Sequence, residues 1–167
     1  MSLSFSAIDF ETAVSHHACS VGIVAVEDGK IVEEFHQLIQ PPFNEYNYYN
    51  IRVHGITPHD TYDAPLFSEV FYDLQKRLAH RTVVAHNEGF DRGVLRKSMK
   101  DYNIHHSELN TLDKWECTVK IFRALGYKRN NLAACCERHR IELQHHDALS
   151  DARACAKLYL LSQGVEI

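Results

Sequence analysis

No stretch of the chain approaches the roughly 20 consecutive apolar residues that a bilayer-crossing helix requires. Met1-Ser2-Leu3 leads straight into a strand-like pattern, without the basic-then-apolar leader of an exported protein. Neither a membrane protein nor a secreted one is expected. Surplus positive charge is missing too: 18 lysines and arginines face 22 aspartates and glutamates, a formal charge of −4. Bulk electrostatics therefore works against nucleic-acid binding, and any such contact has to be local or metal-assisted. The most basic loop, Tyr127-Lys128-Arg129-Asn130, is read first as solvated and second as bringing Lys128 and Arg129 to a nucleic-acid backbone. The five cysteines (Cys19, Cys117, Cys135, Cys136 and Cys155) are odd in number and lack metal-ligand spacing, which predicts reduced thiols filling the core of a cytoplasmic protein. The adjacent pairs His16-His17, His105-His106 and His145-His146 have no partners at structural-zinc spacing. There is no repeat and no low-complexity tract. A length of 167 residues, 45% of them hydrophobic and 24% charged, predicts one soluble globular domain spanning residues 1–167, and the strand-then-helix order over 82–102 makes it α/β.

What is present is a strand that ends in acid. In Phe5–Thr12, side-chain alternation puts Phe5, Ala7, Asp9 and Glu11 on one face and Ser6, Ile8 and Phe10 on the other. Two carboxylates side by side on an apolar strand repel each other, and a proton or a hard cation relieves them. An Asp-x-Glu pair arises by chance about once in a few hundred positions, so a surface pair is an equally good reading of it alone. Carboxylates elsewhere in the chain have to decide.

Ala18–Glu27 and Lys30–Ile39 are β-branched runs joined by Asp28-Gly29, a hairpin signal. Residues 40–64 read as a long linking segment that carries His54-Gly55-Ile56-Thr57. A helix follows from about Pro65, with Leu66, Val70, Leu74 and Leu78 at helical spacing. Thr82–His86 reads as a buried strand. Asn87 is positioned to cap a helix over Glu88–Tyr102 with Phe90, Val94, Leu95 and Met99 inward. Residues 103–113 show no pattern. A short strand over Trp115–Thr118 feeds a helix that stops at Gly126, and further helices are predicted over Leu132–His139 and from Asp147 to Ser162.

On the last helix Asp151 stands in line with Ala148, Cys155 and Leu158, where an apolar residue is expected, and Asp91 sits one turn below Leu95. Each alone is equally a helix-start carboxylate. Together with Asp9 and Glu11 they form a set that a shared cation would satisfy. His146, one of twelve histidines, is by itself an ordinary solvated residue.

Asp9-Phe10-Glu11-Thr12, His86-Asn87-x-x-Phe90-Asp91 and His146-x-Ala148-x-x-Asp151 resemble the three motifs of the DEDDh exonuclease superfamily, in order and separation, across nearly the whole chain. That group contains the proofreading subunits of bacterial DNA polymerase III and ribonuclease T. The glycine many relatives carry soon after the first motif is replaced here by Thr12-Ala13-Val14. The resemblance implies an RNase H-like fold: a five-stranded mixed sheet, first three strands antiparallel, helices on both faces. It implies two Mg²⁺ or Mn²⁺ ions held by Asp9, Glu11, Asp91 and Asp151, with His146 as proton acceptor. It also implies a substrate-binding set of Phe10, Thr12, His54, Ile56 and Asn87 around single-stranded 3′ ends. Thr12 and the backbone beside it would meet the terminal hydroxyl, and His54 and Ile56 would flank the last base. Association with a polymerase is left open and is not indicated. The implied activity is 3′-to-5′ hydrolysis to nucleoside 5′-monophosphates. A catalytically inactive binding or assembly module and a phosphoesterase acting on small molecules are the other readings.

Overall fold

The computed structural model describes residues 3–105 and 114–167. Met1-Ser2, His106 and the rest of the patternless stretch to residue 113 lie outside the described residues.

The acidic strand becomes β1 (Phe5–Val14), flanked on both sides. It pairs antiparallel with β2 (His17–Glu27), which pairs antiparallel with β3 (Lys30–Leu38). The hairpin between them turns at Asp28 and Gly29, both at positive φ (50° and 75°), the conformation a two-residue turn of this kind demands. On its other side β1 runs parallel to β4 (Thr82–Ala85), and β4 parallel to β5 (Trp115–Cys117), giving the order β3-β2-β1-β4-β5. This is the predicted five-stranded mixed sheet.

Helices cover both faces. On one, Ile8, Phe10, Val21 and Ile23 pack against α2 (Phe67–Leu78) and α3 (Glu88–Asp101) through Leu74, Leu78, Leu95 and Met99. On the other, Phe5, Ala7, Val24 and Val84 meet Ala152, Cys155 and Tyr159 of α6 (Ala148–Ser162). The short helices α4 (Thr118–Ala124) and α5 (Leu132–His139) close a smaller core around Phe122, Cys135 and Leu158. All five cysteines are free and buried.

Gly22 sets how closely α6 approaches. It lies opposite Asp9 in the β1–β2 ladder, and a Cβ there would sit 2.3 Å from the Ala148 carbonyl oxygen and 2.5 Å from the Leu149 Cα. The first turn of α6 therefore rests directly on the β2 backbone.

Three local features differ from the expectations. The segment 40–64 contains a 3₁₀ turn (Pro42–Asn44) and a helix, α1 (Tyr48–His54), started by the Asn47 side chain, which accepts from the Tyr49 N–H, and ended by Gly55 at φ 77°. Asn47 also ties it to β1 by donating its N–H to the Ala13 carbonyl. Asn87 stands at the head of α3 in a left-handed conformation and makes no side-chain cap. Phe90, placed by its spacing in the inner stripe, is 46% exposed in the first turn of α3.

Candidate active site

β1 and β4 run parallel, and the acids collect past the carboxyl end of β4, beside the part of β1 that extends beyond it, where open α/β sheets leave a crevice. β1 brings Asp9 and Glu11, α3 brings Asp91, and α6 brings Asp151. One carboxylate oxygen from each of Asp9, Glu11 and Asp151 lies within 4.8 Å of the others. Asp91 stands beside this trio, its Oδ1 accepting the Phe10 N–H at 2.9 Å. Asp151 Oδ2 accepts the His146 N–H at 3.1 Å and lies 3.0 Å from His145 Nδ1, while its Oδ1 is buried with no partner.

Among the described residues no lysine or arginine pairs with any of the four; their ionic neighbours are His145 and His146. Burial, and then the repulsion of the other acids, pushes Glu11 up to about 8 and Asp9 well above its ordinary range. Burial likewise takes Asp91 up to about 8 and raises Asp151, against the pull of their hydrogen bonds. Oxygen donors alone, in excess of any protein cation, suit a hard divalent ion. The orphaned Oδ1 of Asp151 fits the same group.

His146 occupies a strained left-handed position (φ 68°) in the turn before α6, its Nδ1 3.9 Å from Glu11 Oε1. The turn is braced by Asp147, which accepts the Ser150 N–H, and by Ser150, whose hydroxyl accepts the Gln144 N–H. The His145 and His146 rings stack at 3.9 Å. Burial first, and the His145 ring second, lowers the His146 pKa, which favours the neutral ring.

Asp9, Glu11, Asp151, His146, Phe10, Thr12, His54 and Asn87 all border one cleft of about 560 Å³, and Asp91 is buried behind its wall. His54 Nδ1 accepts the Ile56 N–H, so the proton sits on Nε2 and is donated to the Thr12 carbonyl at 3.1 Å. Asn50 donates to the same carbonyl at 2.8 Å. α1 is thereby fastened to the end of β1, which bulges around Thr12 without needing a glycine there. Ile56 is not in this cleft; it borders a smaller cavity of about 180 Å³ behind His54, beside His145 and His146. Sequence reasoning missed Asn50, Val53, His145 and the exposed ring of Phe90, all of which border the cleft. Asn47 and Gly55 bracket a helix on which Asn50, Val53 and His54 fall at i, i+3 and i+4, and that signal would have found two of them.

The exonuclease family model RNase_T matches residues 6–159. The chain is 31% identical over 156 residues to the DNA polymerase III subunit epsilon of Buchnera aphidicola subsp. Acyrthosiphon pisum, covering 90% of this chain and 65% of that one. It is 27% identical over 171 residues to the 3′-5′ exonuclease DinG of Staphylococcus aureus, covering 95% of this chain and 18% of that one. The chain thus spans less than two thirds of these relatives. Exonuclease X in complex with 5′ overhanging duplex DNA superposes with a TM-score of 0.75 at 25% identity, covering 96% of this chain and 91% of that one. The nuclease domain of 3′hExo, a DEDDh family member bound to rAMP, reaches 0.80 at 16% identity, covering 98% and 94%, and attests the fold. With the model spanning all three acidic motifs, the chain belongs to the RNase_T exonuclease family, in its DEDDh form.

Proposed function

We propose that residues 1–167 act as one cytoplasmic exonuclease domain that removes nucleoside 5′-monophosphates from single-stranded 3′ ends of DNA or RNA. The observation that carries this reading is the convergence of Asp9, Glu11 and Asp151 within 4.8 Å, with a buried oxygen of Asp151 left without a partner. Asp9, Glu11 and Asp151 would hold one Mg²⁺ or Mn²⁺, and Asp91 together with Asp9 a second. Bound, such ions activate a water and steady the charge on the departing 3′ oxygen. His146 takes the proton of the attacking water, its lowered pKa keeping the ring free to do so at neutral pH.

The end of β1 reads the terminus. The backbone of Phe10–Thr12 and the Thr12 hydroxyl face the terminal 3′-hydroxyl, while Asn50 and His54 fix that backbone from behind. Asn87 lies across the cleft within reach of the terminal nucleotide. Phe90, exposed in the cleft wall, offers a face on which any base stacks, and His54 borders the other side. Ile56 acts from behind by holding His54, through the N–H it gives to Nδ1.

The test is a 5′-labelled single strand in Mg²⁺. It should shorten stepwise from the 3′ end, stop on chelation, and resist when the 3′ terminus carries a phosphate. Persistence of full-length strand under all metal conditions, or cutting of a circular strand, contradicts the reading.

A further inference from the structure

Lys128 and Arg129, on the loop between α4 and α5, and Arg138, in the last turn of α5, border a groove of about 500 Å³ whose acid is Glu137. Among the described residues none of these three cations is in an ion pair, as holds for most lysines and arginines of the chain, but these three share one groove. Arg138 is also held in place. Its guanidinium lies 4.2 Å from the centre of the Tyr127 ring, and Tyr127 is fixed by its hydroxyl to His139 Nε2 at 3.0 Å and by edge contact with the core residue Phe122. A guanidinium anchored this way gives up less freedom when it binds an anion. The same loop runs into the catalytic cleft, which Asn130, Asn131 and Leu132 border. Arg129 and Asn131 are two residues apart, at most about 7 Å of chain.

We propose that this groove binds the phosphates of the substrate strand upstream of the terminal nucleotide, so that the strand leaves the cleft over the α4–α5 loop. The inference rests on the exonuclease reading for the identity of the strand. Three unpaired cations next to a cleft that accepts a phosphodiester match a polyanion continuous with the bound end, which an acidic peptide would not be. Lys128-Arg129 alone is a short basic run in the sequence; Arg138 joins it only through the fold.

The test compares the wild type with a Lys128→Ala, Arg129→Ala, Arg138→Ala triple variant, its melting temperature checked first. Two substrates are used: the p-nitrophenyl ester of thymidine 5′-monophosphate, which fills the cleft alone, and a long single-stranded oligonucleotide. Binding of the labelled oligonucleotide in chelator, followed by anisotropy over a range of salt, reads the groove without catalysis. Three lost phosphate contacts at about 0.7 each should make the log–log salt dependence of strand binding shallower by about 2, and raise the oligonucleotide KM about tenfold or more. Hydrolysis of the ester should stay as in the wild type. Strand affinity and salt dependence matching the wild type overturn the proposal, even if binding to polyglutamate is lost. Equal damage to ester hydrolysis also overturns it, since the cations would then act on the chemistry. A wild-type protein that cleaves neither substrate yet shows the predicted binding difference sinks the exonuclease reading and keeps the groove.

Discussion

The first turn of α3 carries two buried acids, and the protein treats them in opposite ways. Glu88 is buried with one oxygen 2.7 Å from Lys120 Nζ and the other 3.1 Å from Arg92 Nε. Asp91, three residues on and 1% exposed, pairs with no cationic side chain among the described residues and instead feels the charges of Asp9 and Asp151. Burial alone therefore does not mark a site. At Glu88 the chain supplies the counter-charge; for Asp9, Glu11, Asp91 and Asp151 the described residues supply no lysine or arginine.

The largest way to break this contrast is to neutralise one acid in each place. Asp151→Asn should lower the rate of strand shortening about 10³-fold or more, while raising the melting temperature of the metal-free protein because a repelling charge is gone. Glu88→Gln should do the reverse, lowering the melting temperature by a few degrees with little change in rate. If both substitutions shift stability in the same direction, the two acids are not held differently.

His146→Ala should cost about 10²–10⁴ in rate, the worth of a positioned base, with metal affinity little changed. His145 supports it from the stacked position and should matter less; a larger loss from His145→Ala would move the base by one residue. Gly22→Ala should come next, since a methyl group at 2.3 Å from the Ala148 oxygen must push α6, and Asp151 with it, away from β1. A misplacement of the order of 1 Å costs about 10² in rate. Unchanged activity would mean that α6 yields without moving Asp151.

The smallest effect is a pH dependence. Glu11 rises from 4.5 and Asp91 from 3.8 to about 8 on folding, so the folded protein holds protons the unfolded chain has released. Their stabilising contribution is complete below the unfolded values and is lost as pH rises through about 8. In chelator the melting temperature should fall between those limits; even about 2 kcal/mol of repulsion corresponds to about 4–8 °C. Mn²⁺ should abolish the fall. A flat profile in chelator would mean the acids are solvated.

The sheet was legible because its signals are local: alternation in β1, Asp28-Gly29 between β2 and β3, and apolar stripes on α2 and α6. The acids were legible as a set because each occupied a place where its pattern wanted an apolar residue. What stayed hidden depends on distance in the chain. α1 is short and its stripe faces a cleft, so Asn50 and Val53 carry no core periodicity. Phe90 fits the inner stripe of α3 by spacing, but the first turn of α3 borders the cleft, and the ring stays exposed there. Arg138 is ordinary until α5 brings it beside Lys128 and Arg129.

The central claim, that four carboxylates await divalent ions, is tested most directly by titrating Mn²⁺ into metal-free protein at neutral pH, in two buffers of different ionisation heat. Glu11 and Asp91, lifted to about 8, are largely protonated there and must release protons as ions enter. The account predicts two ions bound, at least one proton released, and in Asp151→Asn the loss of the ion that Asp9, Glu11 and Asp151 would share. Binding without proton release, or binding that Asp151→Asn leaves intact, would contradict it.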